Sequence, residues 1–183
     1  PITKPWLDTA ETEAVKETIL SGWIMQGAKV EQFEQNFAQY TGAHYACAVS
    51  SGTAALHLAL LAVGVNPGDI VLTVSHSYIA TANSVRYCQA EPVFIDIDQD
   101  DYNLDTQLLK QCLEEDCELT NGTLSYRYTH NLSVGESPLV YVNNPKGRIA
   151  AILVVHQMGF PCDLKKILSL AETYGLPVIE DAA

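Results

Sequence analysis

The feature that most constrains the fold of this chain is a regular alternation of short, uninterrupted apolar stretches with longer helical patterns. Continuous apolar strands separated by helices are typical of a mostly parallel sheet that helices cover on both faces. The predicted strands are residues 45–49, 70–74, 93–97, 149–155 and 177–180. The sequence therefore predicts an α/β fold built as three α/β/α layers.

Helical periodicity places the predicted helices before and between these strands. They cover residues 8–20, 30–40, 54–63, 79–87, 105–114 and 164–174. We therefore expect an N-terminal helical segment, residues 1–44, followed by an α/β domain, residues 45–183. The polar stretch 116–146, which carries glycines and prolines, is expected to leave the sheet as an excursion that contains a small hairpin.

The charge balance restricts the class of partner. The chain has 183 residues and a formal net charge of −12, from 22 acidic and 10 basic side chains without a basic cluster. Nucleic acids and anionic membrane surfaces attract basic proteins, so neither is an expected partner. No apolar run approaches the roughly 18 residues of a spanning helix, and the N-terminus shows no secretory pattern, so we expect a cytoplasmic location. The five cysteines include no CxxC pair, which predicts reduced structural thiols and no metal site.

The sequence Ser51-Gly52-Thr53 lies between a predicted strand and a predicted helix, where it can cradle a phosphate. Gly52 lets a ligand approach the backbone closely, the N–H groups and dipole of the helix N-terminus favour an anion, and Thr53 adds a hydroxyl. The same sequence is also an ordinary helix N-cap. Both interpretations remain open on these residues alone.

Polar side chains also follow the other predicted strands, and in a parallel sheet the carboxyl ends of the strands meet at one edge. Tyr78 can lie on a flat heterocycle, and Asp181 can pair with a protonated ring nitrogen. A phosphate cradle, an aromatic ring and a carboxylate together meet the needs of pyridoxal 5′-phosphate (PLP). Each residue also has a structural alternative: Tyr78 can cover the core, His156 can be a packed histidine, and Asp181 can cap a helix.

Motifs spread along nearly the whole chain carry a resemblance to a known family. In chain order they are Ser21-Gly22-Trp23, Gln26-Gly27, Phe33-Glu34, Ser51-Gly52-Thr53-Ala54-Ala55-Leu56, Pro67-Gly68-Asp69, Ser77-Tyr78-Ile79-Ala80-Thr81-Ala82-Asn83, Pro92-Val93-Phe94-Ile95-Asp96, Val155-His156-Gln157-Met158-Gly159 and Ile179-Glu180-Asp181-Ala182-Ala183. In this combination and order the motifs are highly specific. The chain resembles the DegT/DnrJ/StrS family of PLP-dependent nucleotide-sugar aminotransferases, within the fold type I aminotransferases.

The resemblance implies a PLP-dependent transferase-like large domain that is incomplete, and it assigns a set of residues to the cofactor. They are Gly52, Thr53, Ala54, Tyr78, His156 and Asp181. The first three would hold the cofactor phosphate, Tyr78 would stack on the pyridine ring, and Asp181 would pair with the ring nitrogen. His156 would lie in the neighbourhood of the cofactor.

The implied activity is the transfer of an amino group, with glutamate as the expected donor, to a keto sugar linked to a nucleotide. Such reactions serve aminosugar and surface polysaccharide biosynthesis, and the enzymes are typically homodimers whose subunits share each active site. The family's Schiff-base lysine is expected beyond Ala183. The resemblance therefore assigns no catalytic residue to this chain and implies that the chain alone is inactive.

Three alternatives stay open. A PLP-dependent sugar dehydratase of the same family, in which histidine replaces the lysine, shares every motif up to Ala183. A truncated product can instead serve as a non-catalytic interaction module, although an exposed last strand makes such a product prone to aggregation. An unrelated α/β binding domain would share the polar strand ends without the ordered motifs.

Overall fold

The computed structural model describes residues 4–143 and 145–183. The contacts divide the chain into two compact units, of which one ends at Val49 and the other comprises Ser50–Ala183. The first unit is helical, whereas the second contains the strands. Among the described residues, no helix combines the length and the apolar character that crossing a bilayer requires.

The first unit consists of two helices with well-defined ends. They are α1 (Thr9–Ser21) and α2 (Ala28–Thr41). A capping box is present at α1, since the Asp8 side chain accepts from the Ala10 N–H and the Asp8 N–H donates to Glu11 Oε2, both at 2.7 Å. Both helices end at a glycine in the left-handed conformation, Gly22 with φ of +76° and Gly42 with φ of +74°.

Residues 45–49, which the sequence predicts as a buried strand, do not form one. Tyr45 is 90% exposed, and no strand among the described residues pairs with the segment. Its Ala48 N–H donates instead to Glu34 Oε1 at 2.7 Å. Apolar composition favours the extended conformation, but a strand forms only beside another strand that pairs with its N–H and C=O groups. The prediction for this segment is therefore wrong.

The second unit alternates helices and strands. In chain order they are α3 (Gly52–Ala62), β1 (Ile70–Val74), α4 (Ile79–Tyr87), β2 (Glu91–Ile95), α5 (Thr106–Gln111), β3 (Cys117–Thr120), β4 (Thr123–Tyr126), α6 (Thr129–Leu132), β5 (Ile149–Val155), α7 (Leu164–Tyr174) and β6 (Val178–Asp181). Shorter π and 3₁₀ turns cover Cys112–Asp116, Pro138–Val140 and Gln157–Gly159. The strands β2, β1, β5 and β6 form, in that order, a wholly parallel sheet.

Helices cover both faces of this parallel sheet. On one face α3 and α4 contribute Leu60 and Val85 to the core, and on the other face α5 and α7 contribute Leu109 and Ile167. Neighbouring side chains of a strand point to opposite faces, so β5, which is buried up to Val154, packs against both layers. This is the predicted three-layer α/β/α arrangement.

Most elements in this unit agree with the sequence, but β2 covers Glu91–Ile95 rather than residues 93–97, and the α-helix predicted over residues 105–114 ends at Gln111, where a π turn follows. Pro92, which lacks an N–H group, lies inside the strand in register with Val71 of β1. Because β2 is an edge strand, alternate backbone groups have no strand to pair with, and a proline is tolerated there. The proline therefore belongs to the strand and does not precede it.

The polar stretch 116–146 contains a two-stranded antiparallel hairpin, formed by β3 and β4 outside the parallel sheet. Asn121 and Gly122 close the hairpin with φ of +53° and +77°. Two consecutive left-handed residues are the signature of a type I′ turn, whose twist matches that of the flanking strands. The hairpin is thus specified locally by the Asn-Gly pair.

Hydrogen bonds attach this excursion to the sheet. Ser137 Oγ donates to Glu91 Oε2 at 2.7 Å, and the Tyr126 N–H donates to the Gly147 carbonyl at 2.8 Å. Glu91 is the first residue of β2, and Gly147 lies just before β5. The excursion is therefore anchored at the amino edge of the parallel sheet, opposite the edge where the strands end.

Candidate functional site

The residues predicted to cradle a phosphate lie at the N-terminus of α3. Ser51 is the N-cap of the helix, and its Oγ accepts from the Ala54 N–H at 3.2 Å. Among the described residues no acceptor lies against the N–H groups of Gly52 and Thr53, and a Cβ added at Gly52 would meet no atom within 4 Å. Ser51 therefore caps the helix, while the N–H groups of Gly52 and Thr53, at the positive end of the helix dipole, stay available to an anion.

The connection from α3 to β1 determines which edge of the sheet this N-terminus faces. The loop 63–69 joins the end of α3 to the first residue of β1 at the amino edge. The helix has 11 residues, which corresponds to a length of about 16 Å, and it packs against α4 and β6. Its N-terminus therefore extends back towards the carboxyl edge, where β1 and β6 end.

Tyr78 lies in the turn between β1 and α4, at the carboxyl edge. It is the residue before α4, its backbone is extended, and the residue is 81% exposed. A tyrosine that covered the core would be largely buried, so the structure does not support that alternative. The exposed ring face is available to stack on a planar ligand.

Asp181, the last residue of β6, is brought to the same turn. The Thr81 hydroxyl of α4 donates to Asp181 Oδ2 at 3.4 Å, and Ser77 Oγ lies 2.7 Å from Thr81 Oγ1. The Ala183 N–H donates to Asp181 Oδ1 at 3.2 Å. The chain thus holds the carboxylate on both oxygens, beside the turn that carries Tyr78.

His156 occupies a different position. Its Nδ1 accepts from the Cys162 N–H at 3.1 Å, and its Nε2 lies 3.1 Å from Glu180 Oε2. A backbone N–H can only donate, so Nδ1 is the acceptor and Nε2 carries the proton that points at Glu180. The imidazole is therefore held between the end of β6 and the loop after β5.

The alternation of side chains in β6 separates His156 from Asp181. Glu180 and Asp181 are consecutive strand residues, so their side chains project to opposite faces of the sheet. Asp181 meets Thr81 of α4, whereas Glu180 meets His156. The structure therefore brings Tyr78 and Asp181 to one face of the sheet and the ring of His156 to the other. The contact between His156 and Asp181 is through the backbone, since the His156 N–H donates to the Asp181 carbonyl at 3.0 Å.

Cys162, next to His156, is a packed thiol. Burial raises the pKa of the Cys162 thiol, which donates to the Val155 carbonyl at 3.1 Å. A protonated, hydrogen-bonded thiol is a poor nucleophile. Among the described residues, moreover, no three His, Cys, Asp or Glu side chains are placed to hold a metal ion.

The structure also contains a cavity at the carboxyl edge that the sequence did not predict. It has a volume of about 450 Å³ and lies between the loops that follow β1, β2 and β5. Its wall is organised by the buried Asn103, whose Oδ1 accepts from the Gln157 N–H at 3.0 Å and whose Nδ2 donates to the Phe160 carbonyl at 3.2 Å. An asparagine in a loop gives no sequence signal for such contacts, because both partners lie more than fifty positions away.

The sequence reasoning also missed Ser77 and Thr81. Both lie inside the motif that begins at Ser77, and their spacing of four residues at the start of a helix is the signal in the sequence that indicates a contact between them. Together with Tyr78, Asp181 and the N-terminus of α3, they form an edge that can bind a flat, phosphorylated heterocycle with a basic ring nitrogen. The arrangement supplies N–H donors for the phosphate, an aromatic face for the ring and a carboxylate for the nitrogen.

Comparison with known proteins finds relatives along the whole chain. The model of the DegT/DnrJ/EryC1/StrS aminotransferase family matches residues 5–183. The spore coat polysaccharide biosynthesis protein SpsC of Bacillus subtilis (strain 168) is 37% identical over 183 residues. The UDP-4-amino-4-deoxy-L-arabinose–oxoglutarate aminotransferase of Shewanella sediminis (strain HAW-EB3) is 33% identical over 183 residues.

Both matches cover 100% of this chain and 39% of the relative, so the chain spans about two fifths of the length of these curated relatives. A solved structure, that of NtdA from Bacillus subtilis with bound cofactor PMP, matches with a TM-score of 0.71 and 28% identity. That match covers 93% of this chain and 32% of the NtdA chain. The likeness therefore extends over nearly all of the present chain and over a minor part of each longer protein.

Proposed function

Because the chain belongs to the DegT/DnrJ/EryC1/StrS aminotransferase family, whose members depend on PLP, we propose that the protein moves an amino group from glutamate to a keto sugar linked to a nucleotide. The family match confirms the resemblance that the ordered motifs carry. The Shewanella relative is named for a UDP-linked sugar and for oxoglutarate, the keto acid that glutamate becomes when it loses its amino group. That name supports the proposed acceptor and donor.

The single observation that carries the proposal is the contact between Asp181 and Thr81. It fixes a carboxylate from the end of β6 beside the turn that carries Tyr78. Within the described residues each Asp181 oxygen accepts one hydrogen bond, and a carboxylate oxygen can accept two. Asp181 can therefore still accept a hydrogen bond from a protonated ring nitrogen of PLP.

The N-terminus of α3 fits the phosphate of the same cofactor. Gly52 and Thr53 would donate their N–H groups, whereas the Ala54 N–H already donates to Ser51, so Ala54 would line the cradle without a free donor. The open space at Gly52 gives the phosphate oxygens access to the backbone. When bound, PLP supplies an electron sink for the carbon that loses a proton, and the protein residues bind it and keep its ring nitrogen paired with a carboxylate.

His156 is assigned a supporting part at this site. Its N–H donates to the Asp181 carbonyl at 3.0 Å, and its ring holds Glu180 from the other face of the sheet. Both contacts fix the end of β6, from which the Asp181 side chain extends. We therefore place His156 in the neighbourhood of the cofactor through the backbone of β6 and not through contact of its ring with the ligand.

The remaining parts of the proposal rest on the family resemblance. We propose a cytoplasmic homodimer in which residues 1–44 form a helical segment and residues 45–183 belong to the PLP-binding domain. We also propose that the reactive lysine is contributed by a part of the protein outside these 183 residues, so that the chain alone is inactive. The product would enter aminosugar or surface polysaccharide biosynthesis, which agrees with the spore coat polysaccharide biosynthesis for which SpsC is named.

The test uses the full-length protein that contains this sequence. After addition of PLP, we expect a visible absorbance band that bleaches with glutamate and returns with a nucleotide-linked keto sugar. A protein that binds no PLP would refute the proposal. A band that glutamate leaves unchanged, while a nucleotide-linked sugar loses water, would favour a dehydratase of the same family.

A further inference from the structure

Two consecutive side-chain hydrogen bonds connect the turn after β1 to the end of β6. Ser77 Oγ lies 2.7 Å from Thr81 Oγ1, which in turn lies 3.4 Å from Asp181 Oδ2. Thr81 is 2% exposed, so its hydroxyl depends on these two partners and not on solvent. The contact between Thr81 and Asp181 joins residues that are 100 positions apart.

The chemistry of the three groups fixes the direction of the protons. An ionised carboxylate can only accept, so the Thr81 hydroxyl donates its one hydrogen to Asp181. The oxygen of Thr81 is then free to accept, and Ser77 supplies the donor. The protons therefore point from Ser77 to Thr81 and from Thr81 to Asp181.

Local helix capping does not explain this arrangement. The cap of α4 shows no side-chain hydrogen bond, and the Thr81 N–H donates to the Tyr78 carbonyl at 3.1 Å through the backbone alone. A threonine in the first turn of a helix commonly bonds to a nearby backbone group. Here both partners of the Thr81 hydroxyl are side chains, and one of them belongs to a different element of the sheet edge.

The carboxylate is also held from its other side. The Ala183 N–H donates to Asp181 Oδ1 at 3.2 Å, while Thr81 donates to Oδ2. With both oxygens fixed, the plane of the carboxylate cannot turn freely about its side-chain bonds. Preorganised acceptors of this kind bind a partner without first losing rotational freedom.

We propose that Thr81, supported by Ser77, is a positioning residue that holds the Asp181 carboxylate towards the ring nitrogen of PLP. This inference rests on the proposed function and extends it to residues that do not touch the cofactor. Thr81 acts on the ligand only through Asp181. Ser77 acts through Thr81, by supplying the hydrogen bond that leaves the Thr81 hydrogen to the carboxylate.

The test compares three variants of the full-length protein. Thr81→Val removes the hydroxyl and keeps the shape, Thr81→Ser keeps the hydroxyl, and Ser77→Ala removes the first link. The measurements are the dissociation constant of PLP, the visible circular dichroism of the bound cofactor, and the melting temperature without cofactor. For Thr81→Val we expect about tenfold weaker PLP binding and a reduced dichroic band, since one hydrogen bond to a charged group is lost.

The other two variants separate positioning from stability. Thr81→Ser should bind PLP within about twofold of the wild type and restore the dichroic band, because the donor is retained. Ser77→Ala, at a half-buried position, should weaken PLP binding by about two- to fivefold without lowering the melting temperature of the cofactor-free protein.

The outcomes distinguish this inference from the proposed function. If the wild type binds PLP and Thr81→Val matches it in affinity and dichroism, the inference is wrong and the function stands. If Thr81→Val does not fold, Ser77→Ala decides, and wild-type affinity and dichroism in that variant overturn the inference. Absence of PLP binding by the wild type refutes the function itself.

Discussion

Glu180 and Asp181 are adjacent in β6, yet their side chains bind on opposite faces of the parallel sheet. Glu180 lies 3.1 Å from His156 Nε2, and Asp181 accepts from Thr81 of α4 at 3.4 Å. Alternation along a strand makes such a separation unavoidable for consecutive residues. The pair therefore offers two carboxylates with the same sequence context and different expected roles.

Substitution of these two carboxylates should have unequal effects on the cofactor. Asp181→Asn keeps the shape of the side chain but removes the charge proposed to pair with the ring nitrogen, so we expect about 10- to 100-fold weaker PLP binding. Glu180→Gln, on the opposite face, should change PLP binding by less than about twofold. An absorbance titration of the full-length protein measures both values, and equal losses would contradict the assignment of Asp181.

The contact between the excursion and the sheet can be tested at a glycine. A Cβ at Gly147 would lie 2.0 Å from Thr129 Cγ2, and the residue has a φ of +59°. We expect Gly147→Ala to lower the free energy of unfolding by about 2–4 kcal/mol, from the clash and the left-handed backbone together. Urea unfolding measures this change.

The matched control for that change is Gly122→Ala in the hairpin turn. Gly122 also has a positive φ, +77°, but a Cβ there would meet no atom within 4 Å. Only the backbone strain remains, and we expect a loss of about 1 kcal/mol. If the two variants were equally stable, the excursion would not be packed against Gly147 as described.

The ion pair between Asp69 and Arg148 should stabilise the amino edge of the sheet. Both Arg148 Nε, at 3.0 Å, and Arg148 Nη2 donate to the Asp69 carboxylate, which is almost buried, and this hydrogen bonding raises the pKa of the Arg148 guanidinium. Because Arg148 is partly exposed, we discount the Coulomb gain and expect Asp69→Asn to cost about 1–2 kcal/mol in urea unfolding.

An exposed pair on the same unit serves as its comparison. Lys110 Nζ lies 3.7 Å from Glu114 Oε1 in solvent, so Lys110→Ala should cost less than about 0.5 kcal/mol. If Lys110→Ala lowered the free energy of unfolding as much as Asp69→Asn, neither the burial of Asp69 nor its two hydrogen bonds from Arg148 would add to stability.

The acid limb of the stability curve should depend on Asp96. Hydrogen bonds from the Ile97 N–H and the Ser75 hydroxyl lower the pKa of Asp96 in the folded state. A carboxyl whose folded pKa is lowered contributes stability above its unfolded pKa, about 3.9, and loses it as the pH falls through the folded value. The wild type should therefore lose stability more steeply below about pH 4 than Ser75→Ala, which lacks one of these donors.

Urea midpoints collected between pH 7 and the acid limit measure that difference. The difference between the urea midpoints of the wild type and of Ser75→Ala should be constant near neutral pH and should fall in acid. Parallel curves over the whole range would contradict the assigned role of the Ser75 hydroxyl.

The elements that the sequence predicted well are those with complete local signals. β1, β5, α4 and α7 begin and end where the pattern placed them, because each is an apolar run or a helical repeat bounded by turn residues. Residues 45–49 show an equally apolar run and form no strand. Strand formation depends on a partner elsewhere in space, which the composition of the segment does not specify.

The candidate site divides in the same way. The rule that parallel strands end at one edge was sufficient to associate Tyr78 with Asp181, and the structure places both at the turn of Thr81. The role of Thr81 could not be predicted, because a hydroxyl in a helix start has many local partners and its actual partner is Asp181. For His156, the alternation of side chains along β5 and β6 would have predicted that its ring lies on the face of the sheet opposite to the Asp181 side chain.

The anchoring of the excursion at the amino edge has a practical consequence for labelling the protein. The Asn121-Gly122 turn projects into solvent from the hairpin, while Glu91 and Gly147 hold the base of the excursion against the starts of β2 and β5. A fluorophore or an affinity peptide attached at this turn would be separated from Asp181 by the full length of the strands. The hairpin turn is thus an attachment site for a reporter of ligand binding at the opposite edge, because the reporter would not contact the ligand.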